Sequence, residues 1–342
     1  MSRDVANARA LAALRDRLDQ TLARELDGVT GVAVLDFPAH DNVGDSAIWS
    51  GEMQSLRRLG VAVRHASDRH RIRMAAIAAL PADVPILMHG GGNLGDLWLA
   101  YQEFREHIVG IFPQRRIIQL PQSIHFSSRA REEVAAERLR RHPDLTVLVR
   151  DAESLTIARD RMGLRARLCP DAAFGIDPST VPAAPRSQHQ TFRLWRTDKE
   201  AREAAGAPEA AGPTPPGDPT ADWQRHERDW TRTVMLRLAG TLNQRGGARP
   251  ASSRVAAALY HGVAERELRR GIRMLDQGHL VVTDRLHAVI LALLSGHPVV
   301  WSDNSYRKIE RVLGTWLPDA QQCTQTGNRA AAAQFAVTAG AR

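Results

Sequence analysis

The sequence is short of aromatic residues, of cysteine and of long apolar runs, and each shortage excludes a class of protein. Phenylalanine, tryptophan and tyrosine make up 5% of its 342 residues. The arginines are scattered in small groups, such as Arg138, Arg140 and Arg141, with no basic stripe interleaved with rings. Nucleic acid, whose bases stack on such rings, is therefore not an expected partner. Cys169 and Cys323 stand far apart, without the paired spacing of a zinc site or the density of a disulfide framework. A reducing cytosol is the expected compartment. The longest apolar runs, such as Ala288 to Leu294, fall well below the ~20 residues that span a bilayer. Met1 to Asp27 is charged and helical in pattern, with no signal-peptide apolar core. No Gly-Lys-Ser/Thr loop, dinucleotide fingerprint or internal repeat is found.

What remains is an ordinary soluble composition, 43% hydrophobic and 25% charged. Basic residues outnumber acidic ones by 46 to 38, a net charge of +8 that favours anionic partners. The chain exceeds what one core supports, so two domains of roughly 150 residues each are expected. Pro178 to Pro185 reads as the linker, giving domains 1–180 and 181–342. Alanine, glycine and proline dominate 201–219, which reads as a mobile loop.

Short apolar runs alternate with helical patterns throughout. Gly31 to Asp36, Val61 to Val63, Val84 to His89, Arg116 to Ile124 and Leu145 to Asp151 read as strands. Repeated strand, loop and helix predict an α/β fold with a doubly wound parallel sheet. Strands at Gln190–Arg196, Gly278–Val282 and Pro298–Ser302 build a second, similar half. In the helix predicted over Trp223–Leu242, one side carries Trp230, Val234, Leu238 and Leu242. Parallel strands place their polar ends on one edge, so Asp41 to Asp45, Gly90 to Asp96, Gln119 to Ser123, Arg150-Asp151 and Asp171 converge. Three consecutive glycines, Gly90, Gly91 and Gly92, read as a tight turn or as a cradle for a phosphate or sugar.

The most informative corner is Thr283-Asp284-Arg285-Leu286-His287-Ala288, between a strand and a buried helix. A helix N-terminus with an arginine favours an anion, and a nearby histidine can move a proton near neutral pH. Arg285 could equally pair with Asp284, and His287 could be a satisfied core histidine. The second half also offers Arg196, Lys199, Tyr306 and Lys308 at strand ends; the first offers Asn42, Asp45, Asn93, Asp96 and Arg150. Two α/β halves facing across a cleft suit a transferase with an anionic donor on one side and an acceptor on the other.

Asp41-Asn42-Val43-Gly44-Asp45, the Gly90–Asp96 loop, Arg150-Asp151 with Ser154, Pro170-Asp171, and Asp284-Arg285-Leu286-His287-Ala288 followed by Gly296 and Pro298 resemble the polysaccharide pyruvyl transferases. The resemblance runs from Leu35 to Lys308. It implies two Rossmann-like domains in a glycosyltransferase-B-like arrangement. It also implies phosphoenolpyruvate as donor, and a sugar hydroxyl pair on an exopolysaccharide or its lipid-linked precursor as acceptor. The Arg285-Leu286-His287 element would bind donor, joined by Arg150 from the other half.

Ketal formation needs an acid at the enol carbon and a base at the hydroxyls. His287 is the expected acid, and Asp45 or Asp96 the base, unless those aspartates cap helices. Asp284 would steady the cationic centre. Gly91, Gly92, Asn42, Asn93, Arg196, Lys199 and Lys308 complete the expected binding set. No cofactor or metal is expected, although magnesium on the phosphate is compatible. Two alternatives stand: a nucleotide-sugar glycosyltransferase gripping ribose through Asp303, and a non-catalytic envelope-assembly partner. Cytoplasmic location, with peripheral contact at the inner membrane face, is expected.

Overall fold

A computed structural model describes residues 3–181, 189–197, 219–223, 229–245, 250–303, 307–318 and 323–340. Lys199, Tyr306 and the loop expected over 201–219, apart from Pro219, lie outside the described residues. The first half runs α1 (Arg3–Glu25), β1 (Gly31–Leu35), α2 (Val43–Arg58), β2 (Ala62–Ser67), α3 (Met74–Ala78), β3 (Ile86–Met88), β4 (Gly91–Gly95), α4 (Leu99–Ile111), β5 (Ile117–His125), α5 (Arg129–Arg140), β6 (Leu145–Val149), α6 (Ala152–Thr156) and β7 (Ala166–Leu168). The second runs β8 (Thr191–Leu194), β9 (Thr220–Ala221), α7 (Trp230–Arg245), α8 (Pro250–Leu275), β10 (Leu280–Thr283), α9 (Leu286–Leu294), β11 (Val299–Ser302), α10 (Lys308–Trp316), β12 (Cys323–Thr326) and α11 (Arg329–Gly340).

Every residue of β1 and of β6 is buried, because helices cover both faces of a parallel sheet. The first sheet has the order β2-β1-β3-β5-β6-β7, with β4 paired to the C-terminal part of β5. The register of β5 against β6 shifts between Gln119 and Gln122, where Pro121 offers no N–H to the ladder. The second sheet has the order β12-β11-β10-β8-β9, and all its pairings are parallel. In each sheet the chain first builds one way and then reverses: around β1 and β3 in the first, around β8 and β10 in the second. Open parallel sheets bind ligands beyond the strand ends at such reversal points. The loops after β1, β3, β8 and β10 are those that carry the expected site.

Packing does not follow the boundary expected near residue 180. Helices α7 and α8, from the second half of the sequence, cover the first sheet: Leu236, Ala239, Ala256 and Tyr260 share a core with Val32, Val34 and Leu87. Helix α1 serves both sheets, with Leu18 and Leu22 in that core and Leu11 and Leu14 in the one around β8 and β10. The side of α7 that carries Trp230, Val234 and Leu238 faces solvent, with 70%, 54% and 47% of these residues exposed, and only Leu242 of that side packs partly on the core. The packed face is instead Leu236, Ala239, Gly240 and Asn243. The glycine run also departs from the expected turn or loop. Gly91 to Gly95 is a strand, possible because Gly91 and Gly95 take φ values of 131° and 142°. Among the described residues no helix is long and apolar enough to cross a membrane.

Candidate active site

The ends of the two sheets enclose a cleft of about 640 Å³. Its first-sheet wall comes from the loop after β1 (His40, Asp41, Asn42, Asp45), the glycine strand (Gly92, Asn93) and the entry to α4 (Trp98, Tyr101). The opposite wall holds Arg196, Trp223, Arg285, Leu286, His287 and Lys308.

Helix α2 begins two residues before Asp45, so the cap is Asn42, whose side chain accepts from Gly44 N at 2.9 Å. Asp45 is thereby released from the capping role that its sequence position allowed. The Asn42 amide also donates to Asp45 Oδ2 at 2.8 Å, and His40 Nε2 reaches the same oxygen at 2.7 Å. Burial opposes ionisation of Asp45, but the hydrogen bond from His40 holds its carboxyl well below the usual range.

Arg150 emerges from β6 fully buried. Its Nη1 donates to Asp171 at 2.6 Å and its Nε to Ser123 at 2.9 Å. Its Nη2 has no hydrogen-bond partner among the described residues and lies 2.8 Å from where a side chain on Gly92 would begin. Lys308 Nζ lies 2.4 Å from that same point. Only glycine at 92 leaves both cations facing the cleft floor. An unsatisfied, buried guanidinium N–H beside an ammonium is a receptor for a multiply charged oxyanion.

His287 sits in the first turn of α9. Its Nε2 lies 3.4 Å from both Asp171 Oδ2 and Arg150 Nη1. A Cβ on Gly44 would fall 2.5 Å from His287 Nδ1, so α2 can approach the ring only because residue 44 is glycine. Burial lowers the basicity of His287; Asp171 opposes this, while Arg150 and Lys308 add to it. At neutral pH this favours the neutral ring, and anionic charge brought beside it favours protonation. Asp171 is held far below the usual carboxylate range: burial works against it, but Arg150 and then His287 prevail. Asp171 was expected only at the converging edge; the structure makes it the carboxylate that joins Arg150 to His287.

Arg285 does not pair with Asp284. It ion-pairs with Asp222, whose Oδ2 also accepts from Thr197 N at 3.0 Å. Asp284 turns away from the cleft. It ion-pairs with Arg329 at the start of α11 and accepts from Arg196 N at 2.8 Å. The expectation that Asp284 steadies a cation at the reacting carbon is corrected by this geometry. Asp96 is likewise corrected as a base. Its carboxylate accepts from Ser127 N at 2.8 Å and Ser128 N at 2.9 Å, tying down the entry to α5, and it lies outside the cleft lining. Asn93 lines the cleft, but its side-chain oxygen accepts from Arg105 at 2.8 Å and Gln122 at 3.0 Å, which makes it a positioning group. Gly91 forms the strand edge behind Asp45, and its Cβ position lies 3.7 Å from Asp45 Oδ1. His40, Trp98, Tyr101 and Trp223 belong to the cleft and were not singled out in the sequence.

This is a parallel α/β protein with a cation-rich transfer cleft at its strand ends, and residues 42–306 match the polysaccharide pyruvyl transferase family. The chain belongs to that family and is an enzyme of the pyruvyl transferase class. It is 31% identical over 317 residues to pyruvyl transferase 1 of Schizosaccharomyces pombe, covering 88% of this chain and 72% of that protein. It is 29% identical over 306 residues to EpsO of Bacillus subtilis, which is named within the same class, covering 88% and 90%. A crystal structure of an uncharacterised protein from Klebsiella pneumoniae has a similar fold. Its TM-score is 0.58 at 17% identity, covering 92% of this chain and 99% of that one.

Proposed function

We propose that the enzyme transfers the pyruvyl group of phosphoenolpyruvate to two hydroxyls of one sugar, on an exopolysaccharide or its lipid-linked precursor, giving a 1-carboxyethylidene ketal. The observation that carries this reading is the cluster of Arg285, Lys308 and His287 in one cleft, with Arg150 buried against His287 and Gly92 at its floor. Phosphoenolpyruvate brings a phosphate and a carboxylate, and a guanidinium fork suits each of them. With these anions bound, His287 takes up a proton and delivers it to C3 of the enol, turning CH2 into CH3 and leaving cationic character at C2. One sugar hydroxyl adds to C2 and gives up its proton. The C2–O bond to phosphate then breaks, the second hydroxyl closes the ring, and its proton is lost with phosphate. Arg150, Arg285 and Lys308 can each offer N–H groups to the donor's phosphate and carboxylate, and no metal is part of this scheme. The two facing sheets serve as the halves of a glycosyltransferase-B-like arrangement, acceptor on the first and donor on the second. The reaction belongs where donor and lipid-linked acceptor meet, at the cytoplasmic face of a membrane, with peripheral contact.

A nucleotide-sugar reading would need Asp303 for ribose hydroxyls. Its carboxylate already accepts from Ile309 N at 3.0 Å and Glu310 N at 2.8 Å. Calorimetry with phosphoenolpyruvate and with a nucleoside diphosphate separates the two readings. The expected result is binding of phosphoenolpyruvate alone, weakened at least about 30-fold by Arg285→Ala, the loss of one charge-assisted pair. Binding should draw protons from the buffer at about pH 8, above the second ionisation (~6) of a phosphate ester, because the anion raises the depressed basicity of His287. Binding of the nucleotide and not of phosphoenolpyruvate would overturn the proposal.

A further inference from the structure

The first-sheet wall carries a chain of hydrogen bonds that the donor site does not use. Tyr101, at the start of α4, places its hydroxyl 3.2 Å from His40 Nδ1. His40 Nε2 lies 2.7 Å from Asp45 Oδ2. All three residues line the cleft, although 61 and 5 positions separate the pairs along the chain. The direction of the bonds follows from their chemistry. An ionised Asp45 can only accept, so Nε2 carries the hydrogen; in that tautomer Nδ1 is the acceptor, and Tyr101 donates. This leaves the Tyr101 oxygen lone pairs to accept from a hydroxyl in the cleft. Arg69 stacks its guanidinium 4.1 Å from the Tyr101 ring centre, fixing the ring plane. Trp98 lines the same wall and offers a flat apolar surface for a sugar.

Asp45 itself makes a poor base. General-base catalysis works best with a basicity matched to the operating pH, and this carboxylate is held well below its usual range by His40. Its Oδ2 is also occupied by both His40 and Asn42. Tyr101 alone is no better, because burial and the nearby Asp45 push its phenol far up; it can release its proton only while taking another. The three groups together meet both objections.

We propose that the acceptor hydroxyl is deprotonated through Tyr101, which passes its own proton to His40, while Asp45 holds the imidazole in place. The sugar O–H bond breaks as its oxygen bonds to C2 of the donor. That proton arrives on Tyr101, the Tyr101 proton moves to His40 Nδ1, and the resulting imidazolium is paired with Asp45. Tyr101 is the catalytic residue that touches the acceptor, and His40 and Asp45 act through it. This inference rests on the proposed reaction, but its test fails separately from that one.

The experiment measures pyruvyl transfer and phosphoenolpyruvate binding for the wild type, His40→Ala, His40→Gln and Tyr101→Phe. His40→Ala is expected to lower kcat roughly 100-fold or more, with phosphoenolpyruvate affinity unchanged within about twofold, since His40 lies outside the donor cation cluster. Added imidazole should restore part of the lost rate to His40→Ala, and Tyr101→Phe should be slow and unresponsive to imidazole. His40→Gln, which keeps hydrogen bonds but cannot take a proton, should remain slow. Near-normal kcat in His40→Ala, recovery in His40→Gln, or failure of imidazole to rescue a His40→Ala protein that still binds donor would each overturn the relay. A wild-type enzyme that does not bind phosphoenolpyruvate would sink the proposed reaction instead.

Discussion

Asp36 ends β1 in a left-handed backbone conformation with φ 70°, and neither of its carboxylate oxygens has a hydrogen-bond partner among the described residues. Burial raises its pKa to about 6, against the opposing charges of Arg105 and His89. The sign of the consequence is fixed by linkage. Between about pH 4 and 6 the unfolded chain has ionised this group while the folded one still holds the proton, so stability falls as pH rises through that window. A shift of this size corresponds to roughly 3 kcal/mol. Asn tolerates the left-handed region and cannot ionise. Asp36→Asn should therefore gain about 3 kcal/mol over wild type between pH 4 and pH 7, measured by denaturant unfolding at each pH. A gain of equal size at both pH values would show that only the backbone, and not the charge, matters. Legibility at this scale has a geometric limit. Arg285, His287, Asp45 and Arg150 could be read from strand ends and helix starts. Asp284 could not be told apart from Arg285, because consecutive residues leaving a strand point to opposite sides: one meets Arg329, the other the cleft. The partnership of Arg150 with Asp171, and of Tyr101 with His40, joins residues 21 and 61 positions apart, which no local pattern encodes.

Helix α7 shows the same limit one level up. Its period is plain in the sequence, yet the face that packs is the less apolar one. Ala239 and Gly240 are small enough to let the helix lie close to the first sheet; a Cβ on Gly240 would meet Arg71 at 2.0 Å. Asn243 then donates to Ala66 O at 2.8 Å, satisfying a carbonyl of β2, which ends the hydrogen-bonded order of its sheet. Close approach and a satisfied buried carbonyl outweigh the larger side chains on the opposite face. The central strands, by contrast, were legible to within two residues, since buried parallel strands are continuous apolar runs bounded by turn residues. The exceptions lie away from the sheet centres: β9, β12 and the glycine strand were not expected as strands, β2 runs to Ser67 beyond the expected Val61–Val63, and the glycine strand is recognisable only by its partner β5. The α7 assignment has a direct test. Leu236→Ala should cost about 2–4 kcal/mol of unfolding free energy, whereas Trp230→Ser should stay within about 0.5 kcal/mol. The reverse order would mean that the Trp230 side is the one that packs.

At the scale of the whole molecule, the two sheets are held by elements that do not respect chain order. Helix α1 contributes leucines to both cores, and the α7–α8 pair returns from the second half to cover β2 and α2. Tyr260 of α8 donates to Asp68 at 2.8 Å and packs its ring 4.6 Å from Phe37, directly behind the loop that carries His40 and Asp45. The acceptor wall is thus supported by helices whose sequence lies beyond β8. A fragment of residues 1–181 would lose Leu236, Ala239, Ala256, Tyr260 and Val263 from its core, leave Ala66 O without Asn243, and expose Leu11 and Leu14 of α1. Buried area of this kind is worth ~25 cal/mol per Å², and a net stability of about 5–15 kcal/mol does not survive the loss of five core side chains. The intact chain should unfold in one transition whether followed by calorimetry or tryptophan fluorescence, and the 1–181 fragment should show no cooperative transition. Adding residues 229–275 to that fragment through a linker should restore one. A 1–181 fragment that melts cooperatively on its own would mean that the first sheet is an autonomous domain and that α7 and α8 merely rest on it, and the cleft would then be free to open about the α7–α8 contact.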